Sequence, residues 1–143
     1  MLEQVLEKYP AEVKIVFKNF PLRNHKFAMK AAAAALAAES QGKFWEFHDL
    51  LFKNYNRIND ELIRTIALGL GFDVKEFELK MRDPEIQARI QQDTRDGSQA
   101  GVRGTPTIFV NGKRLNDRSL KGFQTAVGRE LEKLERKKVN QGS

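Results

Sequence analysis

Apolar residues recur at steps of three and four along most of this chain, and the pattern turns extended in only two short places. Leu2, Val5, Leu6 and Tyr9 keep helical spacing until Pro10 stops the run, which predicts a helix over 2–9. "VKIVF", Val13 to Phe17, is β-branched and bounded by polar residues, so it is expected as a strand. "NFPLRNH" reads as a loop, because Pro21 disfavours helix in the residue before it. "HKFAMKAAAAALAAE" is built on alanine, the best helix former, and Ser40-Gln41-Gly42 breaks it. In "KFWEFHDLLFKNY", Phe44, Phe47 and Leu51, with His48 and Phe52, predict a helix with one broad apolar face.

Cap signals divide the second half of the chain. Asn59 or Asp60 can open a helix carrying Leu62, Ile63, Ile66 and Ala67, closed near Gly69–Gly71. Asp73 with Glu76 has capping-box spacing, and Asp83-Pro84 sets a capping side chain before proline at the first helical position. The helix after Pro84 carries Ile86 and Ile90 and is expected to run to about Asp96-Gly97. "TIFV" is the second strand, Asn111-Gly112 a two-residue hairpin turn, and "KRL" the returning strand. Ser119 can cap a last helix whose stripe is Leu120, Phe123, Val127, Leu131 and Leu134, with "NQGS" as a frayed tail.

A chain of 143 residues is long enough for one domain with a core. No apolar run approaches bilayer length, so no membrane partner is expected. "MLEQVLEKYP" lacks the basic and apolar regions of a signal peptide, so the chain as written is expected to carry no export signal. The net charge is +6, and most of it is terminal: nine basic residues from Lys113 onward face four acids, leaving +5. No aromatic residue is interleaved there, and a solvated helix face with cations near its C-terminal end accounts for the excess, so no nucleic-acid partner is expected. The cysteine count of zero excludes disulfides, thiolate nucleophiles and Cys-type zinc sites within this chain.

Other candidate chemistry is sparse. His25 and His48 are the only histidines and have no acidic cluster at ligand spacing, so no metal site is expected. Phe44, Trp45, Phe47 and Phe52 could form an aromatic binding box, but their helical spacing points to core packing. Asp49, Asp60 and Glu61 form no paired-carboxylate signature. Gly69, Gly71, Gly101 and Gly104 read as helix ends and turns, and Ser40, Ser98 and Ser119 lack a nucleophile's surroundings.

The order of elements, with "KIVFKNFPL", the alanine-rich helix after "NHKFAMK", "GKFWEFHDLLF" and "VRGTPTIFVNGK", resembles the DsbA-like branch of the thioredoxin fold across nearly the whole chain. The resemblance implies an α/β thioredoxin-like fold with a helical insertion: a single domain over 1–143, the insertion at 24–97 and the thioredoxin-like core at 1–23 and 98–143. It places Pro106 on the family's cis-proline and Thr105 just before it. Arg103, Gly104, Thr105 and Pro106 become the candidate substrate-binding residues, in a loop whose backbone pairs with substrate polypeptide. The family is one of thiol–disulfide oxidoreductases, usually periplasmic or extracytoplasmic. Its Cys-x-x-Cys, at the start of the first helix, has no counterpart here, nor does the strand before it.

By that resemblance the domain is incomplete, missing the first strand and the start of the first helix. The chain alone is expected to be inactive, with no catalytic residue and no cofactor. The alternative is a non-catalytic peptide-binding module using the same loop; a remote one is a glutathione-transferase or isomerase relative of the fold. The expected partners are an extended polypeptide or thiol protein and a second copy of the chain. The family's missing strand lies between those matching Val13–Phe17 and Thr107–Val110, and open strand edges recruit other chains.

Overall fold

The computed structural model describes residues 2–141. Among these, seven helices and one hairpin come in the order α1 (Leu2–Lys8), α2 (Ala28–Glu39), α3 (Phe44–Lys53), α4 (Asp60–Gly69), α5 (Val74–Met81), α6 (Pro84–Gln99), β1 (Phe109–Val110), β2 (Lys113–Arg114) and α7 (Leu120–Gln141), with a 3-10 turn at Tyr55–Arg57. Among the described residues no helix is long and apolar enough to cross a membrane. The chain divides into two compact units, Lys18–Gly104 and Met1–Phe17 with Thr105–Ser143.

In the helical unit, α2 is the centre. Ala33 to Ala38 are all buried, and the small side chains of the five alanines among them, around Leu36, let α3, α4, α5 and α6 pack close around it. The bulk of the core comes from its neighbours. The rings of Phe47, Phe72 and Phe77 lie 5.3–6.3 Å apart, beside Ile63, Ile66 and Ile90. Short polar side chains start the outer helices by accepting from otherwise orphaned amides: Asn59 from Leu62 N, Asp73 from Glu76 N and Asp83 from Glu85 N.

The compact helical unit runs from Lys18 to Gly104, and at its start residues 18–20 dock on α6. Asp93 is buried and accepts from Lys18 Nζ at 2.9 Å, Asn19 N at 3.0 Å and Asn19 Nδ2 at 2.9 Å. One turn on, a Cβ at Gly97 would stand 2.8 Å from the Phe20 ring. A side chain there would have to displace the Phe20 ring, and α6 continues through Gly97 to Gln99 rather than ending.

The second unit is thinner. Val5, Phe123 and Val127 are buried, with Tyr9, Val13, Ile108, Val110, Leu115, Leu120 and Leu131 packed around them. Ser119 caps α7 by accepting from Gly122 N, and Asp117 accepts from Ser119 N.

The stretch Val13–Phe17 is not a strand. Val13, Ile15 and Phe17 are half-buried while Lys14 and Val16 are exposed, so the alternation of an extended chain is present. A strand also requires a ladder, and among the described residues the one sheet contains only β1 and β2. Helix α1 ends at Lys8, α2 begins at Ala28 after a turn at His25, and Leu134 is exposed because α7 has outrun its packing partners. Asn140 and Gln141 extend α7 rather than fraying, while Gly142 and Ser143 lie outside the described residues.

Candidate peptide-binding loop

Between α6 and β1 the chain must stop a helix and deliver a strand within a few residues. Val102 N donates back to Gly97 O at 2.8 Å, and Gly101 adopts φ +77° to allow the turn. Arg103, exposed, and Gly104, half-buried, close the helical unit. Thr105 and Pro106, both exposed, open the second unit, and the peptide bond between them is cis.

The hairpin and the start of α7 hold that exposed pair in place. Arg118 Nη1 donates to the Pro106 carbonyl oxygen at 3.0 Å. Sequence reasoning missed Arg118, which stands twelve residues away and reaches the loop only after the hairpin has folded back. Asn111 and Gly112, at φ 46° and 76°, make the turn between β1 and β2, with Phe109 opposite Arg114 and Val110 opposite Lys113. Leu115 N donates to Ile108 O at 2.8 Å, extending the ladder by one rung.

That rung fixes the direction of the β1 backbone. Ile108 bonds across the hairpin, so the next pair, Phe109 with Arg114, is a non-hydrogen-bonded one. The N–H and C=O of Phe109 therefore point away from β2, toward the open edge. Ile108 and Val110 turn their side chains inward while Phe109 stays exposed, so one face of the hairpin is packed, and among the described residues β1 pairs with β2 alone.

Glu130 on α7 ties down the hairpin. Its carboxylate pairs with Lys133 and with Lys113 at 3.1 Å, and accepts from Asn111 Nδ2 at 3.4 Å. Hydrogen bonds from Lys133 first and Lys113 second hold its pKa down at about 2. In the helical unit, burial alone would raise the Asp93 pKa, but the bonds from Asn19 and Lys18 outweigh it and the net direction is downward.

The other candidate residues do not converge. Asp49 lies beside His48 Nδ1 at 3.1 Å, and Asp60 pairs with Lys30 at 2.7 Å. Among the described residues no group of three or more His, Cys, Asp or Glu side chains is placed to hold a metal ion. The expectation of core packing for all four aromatics of α3 needs correction. Phe47 is in the core and Phe44 packs partly against it, but Trp45 is 47% and Phe52 61% exposed. His48 lies between them, its ring 4.3 Å from Phe52 and 5.5 Å from Trp45. The helix buries the stripe of Phe47 and Leu51 in the core; the stripe of Trp45 and Phe52 falls on its other side.

Comparison with known proteins places this geometry. A family profile described as the DSBA-like thioredoxin domain matches residues 1–128. A thioredoxin-like oxidoreductase from Silicibacter pomeroyi superposes with a TM-score of 0.80 at 27% identity, over 92% of this chain and 75% of that one. The thiol–disulfide exchange protein α-DsbA2 of Wolbachia pipientis has the same fold, with a TM-score of 0.76 at 23% identity over 90% and 70% of the two chains. Among curated sequences, the Na(+)/H(+) antiporter NhaA 3 of Salinispora tropica is 39% identical over 103 residues, 71% of this chain and 16% of the antiporter. NhaA 1 of Mycolicibacterium gilvum is 31% identical over 116 residues, 79% of this chain and 19% of that protein. The chain thus spans less than a fifth of the length of these curated relatives. With a family match over nine-tenths of its residues and a thioredoxin-like α/β structure, the chain belongs to the DSBA-like thioredoxin domain family.

Proposed function

We propose that this chain grips an extended polypeptide at the Thr105–Pro106 loop and the outer edge of β1, and performs no thiol chemistry with its own side chains. One observation carries the reading: a chain with no cysteine keeps an exposed loop and an open strand edge, held by Arg118 and Glu130. Thiol–disulfide exchange requires a thiolate to attack a disulfide sulfur. The sulfur here is in three methionines, whose thioethers have no proton to lose. Exchange, the activity named for the Wolbachia relative, would need cysteines supplied by another segment or polypeptide.

Strand addition needs none. A polypeptide laid along β1 can pair with the outward N–H and C=O of Phe109, and main-chain bonding of this kind is tolerant of sequence. A second copy of the chain is the competing occupant of the same edge, and it can be diluted away.

The test is anisotropy of a labelled, cysteine-free extended peptide at low micromolar protein, beside an insulin-reduction assay. Phe109→Pro removes the outward N–H at a position where an edge strand tolerates proline, whereas Phe109→Ala keeps it. The reading expects Phe109→Pro to lose peptide binding, Phe109→Ala to retain most of it, and no insulin turnover above background. Equal binding by wild type and Phe109→Pro, or catalytic turnover by clean protein, would overturn it.

A further inference from the structure

The guanidinium that holds the candidate loop is only partly used. Arg118 Nη1 donates to the Pro106 carbonyl oxygen at 3.0 Å, and an arginine presents its N–H donors in a rigid, planar fork. Arg118 is exposed, as are Thr105, Pro106 and Phe109, and all four belong to the same compact unit. Among the described residues no carboxylate pairs with Arg118. The acid beside it in sequence, Asp117, accepts from Ser119 N at 2.9 Å and is committed to the start of α7.

The surroundings carry the same sign. From Thr107 to Lys121 the hairpin and the start of α7 hold Lys113, Arg114, Arg118 and Lys121 against Asp117 alone. Glu130 reaches back to Lys113, which still leaves four cations to two acids. Arg114 stands opposite Phe109 in the ladder, and both residues are exposed. Directly opposed residues share a face, so a cation accompanies Phe109 on the outward side of the hairpin.

We propose that the polypeptide gripped at this loop is acidic, and that a Glu or Asp side chain of the bound segment completes the Arg118 fork. The inference rests on the peptide-binding reading above and adds the substrate class. A carboxylate is the planar acceptor that a guanidinium can meet with two parallel bonds, which fix orientation as well as adding attraction. Arg118 then serves both partners, bracing the loop through one N–H and reading the ligand through others. Main-chain pairing along β1 discriminates little between sequences, so the charge does the selecting. A lysine-bearing segment would meet like charge and be disfavoured.

The experiment is an anisotropy titration of the full chain with extended peptides of alternating threonine and valine, carrying a neutral dye. Glu, Gln or Lys is walked through the central positions, and capped ends leave the Glu as the only carboxylate. At its best position the Glu peptide should bind about fivefold more tightly than its Gln counterpart, the scale of an exposed ion pair, and the Lys peptide more weakly than either. In Arg118→Gln the Glu and Gln peptides should bind alike. In Lys75→Gln, which removes an exposed charge from the helical unit, the preference should stand. If Arg118 only braces the loop, Arg118→Gln weakens both peptides by the same factor, and that surviving preference would overturn the proposal. Equal binding of all three peptides by the wild type, or loss of the preference in Lys75→Gln, would do so too. Should Arg118→Gln bind neither peptide, Arg118→Lys keeps a donor for the Pro106 carbonyl without the fork. It should bind with a reduced preference, and an undiminished one would count against the proposal. Gln-peptide binding that depends on Phe109, with no Glu advantage, would remove this inference and leave the peptide-binding reading in place; binding of none of the peptides would remove both.

Discussion

The two units of this chain are stabilised in different ways. The helical unit encloses sixteen buried apolar residues around α2, with three stacked or tilted phenylalanines at the centre. Among its described residues the other unit buries three and surrounds them with half-exposed neighbours. One is a packed core; the other is a hairpin laid on two helices and held in register by polar contacts, Arg118 to the Pro106 carbonyl and Glu130 to Lys113 and Asn111. The candidate binding edge belongs to the second kind. A surface that must accept another polypeptide's backbone cannot also have its own edge covered, and regions with few buried contacts open most readily.

Truncating a central ring probes the contrast most strongly. Phe47 is fully buried, and Phe47→Ala should destabilise by about 3–5 kcal/mol. Phe123→Ala removes the same atoms from a thinner core whose walls can relax, so its cost should fall near the lower end, about 3 kcal/mol. Chemical denaturation of both variants checks the ordering, and a larger loss from Phe123 would mean that the thin unit governs stability.

Two helical glycines sharpen it. A Cβ at Gly122 would stand 2.1 Å from the Asp117 carbonyl oxygen, which is backbone and cannot swing aside as a side chain would. Gly122→Ala should therefore lose about 1–3 kcal/mol through overpacking. At Gly97 the obstacle is the edge of the Phe20 ring, a side chain that can shift. Alanine is the better helix former by about 1 kcal/mol, so Gly97→Ala should cost less, and melting temperatures of the pair measure the difference.

Asp93 tests how the helical unit captures residues 18–20. Asp93→Asn puts an amide where three donors converge and should cost about 1–3 kcal/mol. The folded pKa of Asp93 is depressed below the ordinary value of 3.8. Its carboxylate therefore contributes stability that is fully present above that ordinary value and is lost as pH falls through the lower folded one. Denaturation midpoints between neutral pH and pH 3 should decline less steeply in Asp93→Asn than in the wild type. The smallest effect belongs to Glu130. Its carboxyl resonance should titrate near pH 2 rather than near 4.5, and a titration at the ordinary value would mean that Lys133 and Lys113 do not hold it.

The helices were legible in the sequence because their signals are local. Asn59, Asp73, Asp83 and Ser119 each cap the helix that their spacing announced, and Asn111-Gly112 makes its hairpin. The features that could not be read depend on residues far apart. Val13–Phe17 has the alternation of a strand, but a ladder is a property of two segments, and one segment cannot reveal whether a second lies beside it; among the described residues the sheet holds only β1 and β2. Phe52 shares its helical spacing with core residues, yet which stripe of α3 is covered depends on where α2 lies. The Asp93 contacts span 74 and 75 residues, and Gly97 looked like a helix end because nothing nearby marks Phe20 as its neighbour. In the loop, Gly104-Thr105-Pro106 could be picked out, and Arg118 could not.

Hydrogen exchange at the Phe109 amide tests the central claim most directly. Its N–H points to the open edge of β1, so in the free chain it should exchange quickly, faster than the Leu115 amide that donates to Ile108. Saturating amounts of an extended, cysteine-free peptide should slow Phe109 markedly while leaving Leu115 nearly unchanged. A peptide that binds yet leaves the Phe109 rate where it was would show that β1 is not the surface being gripped.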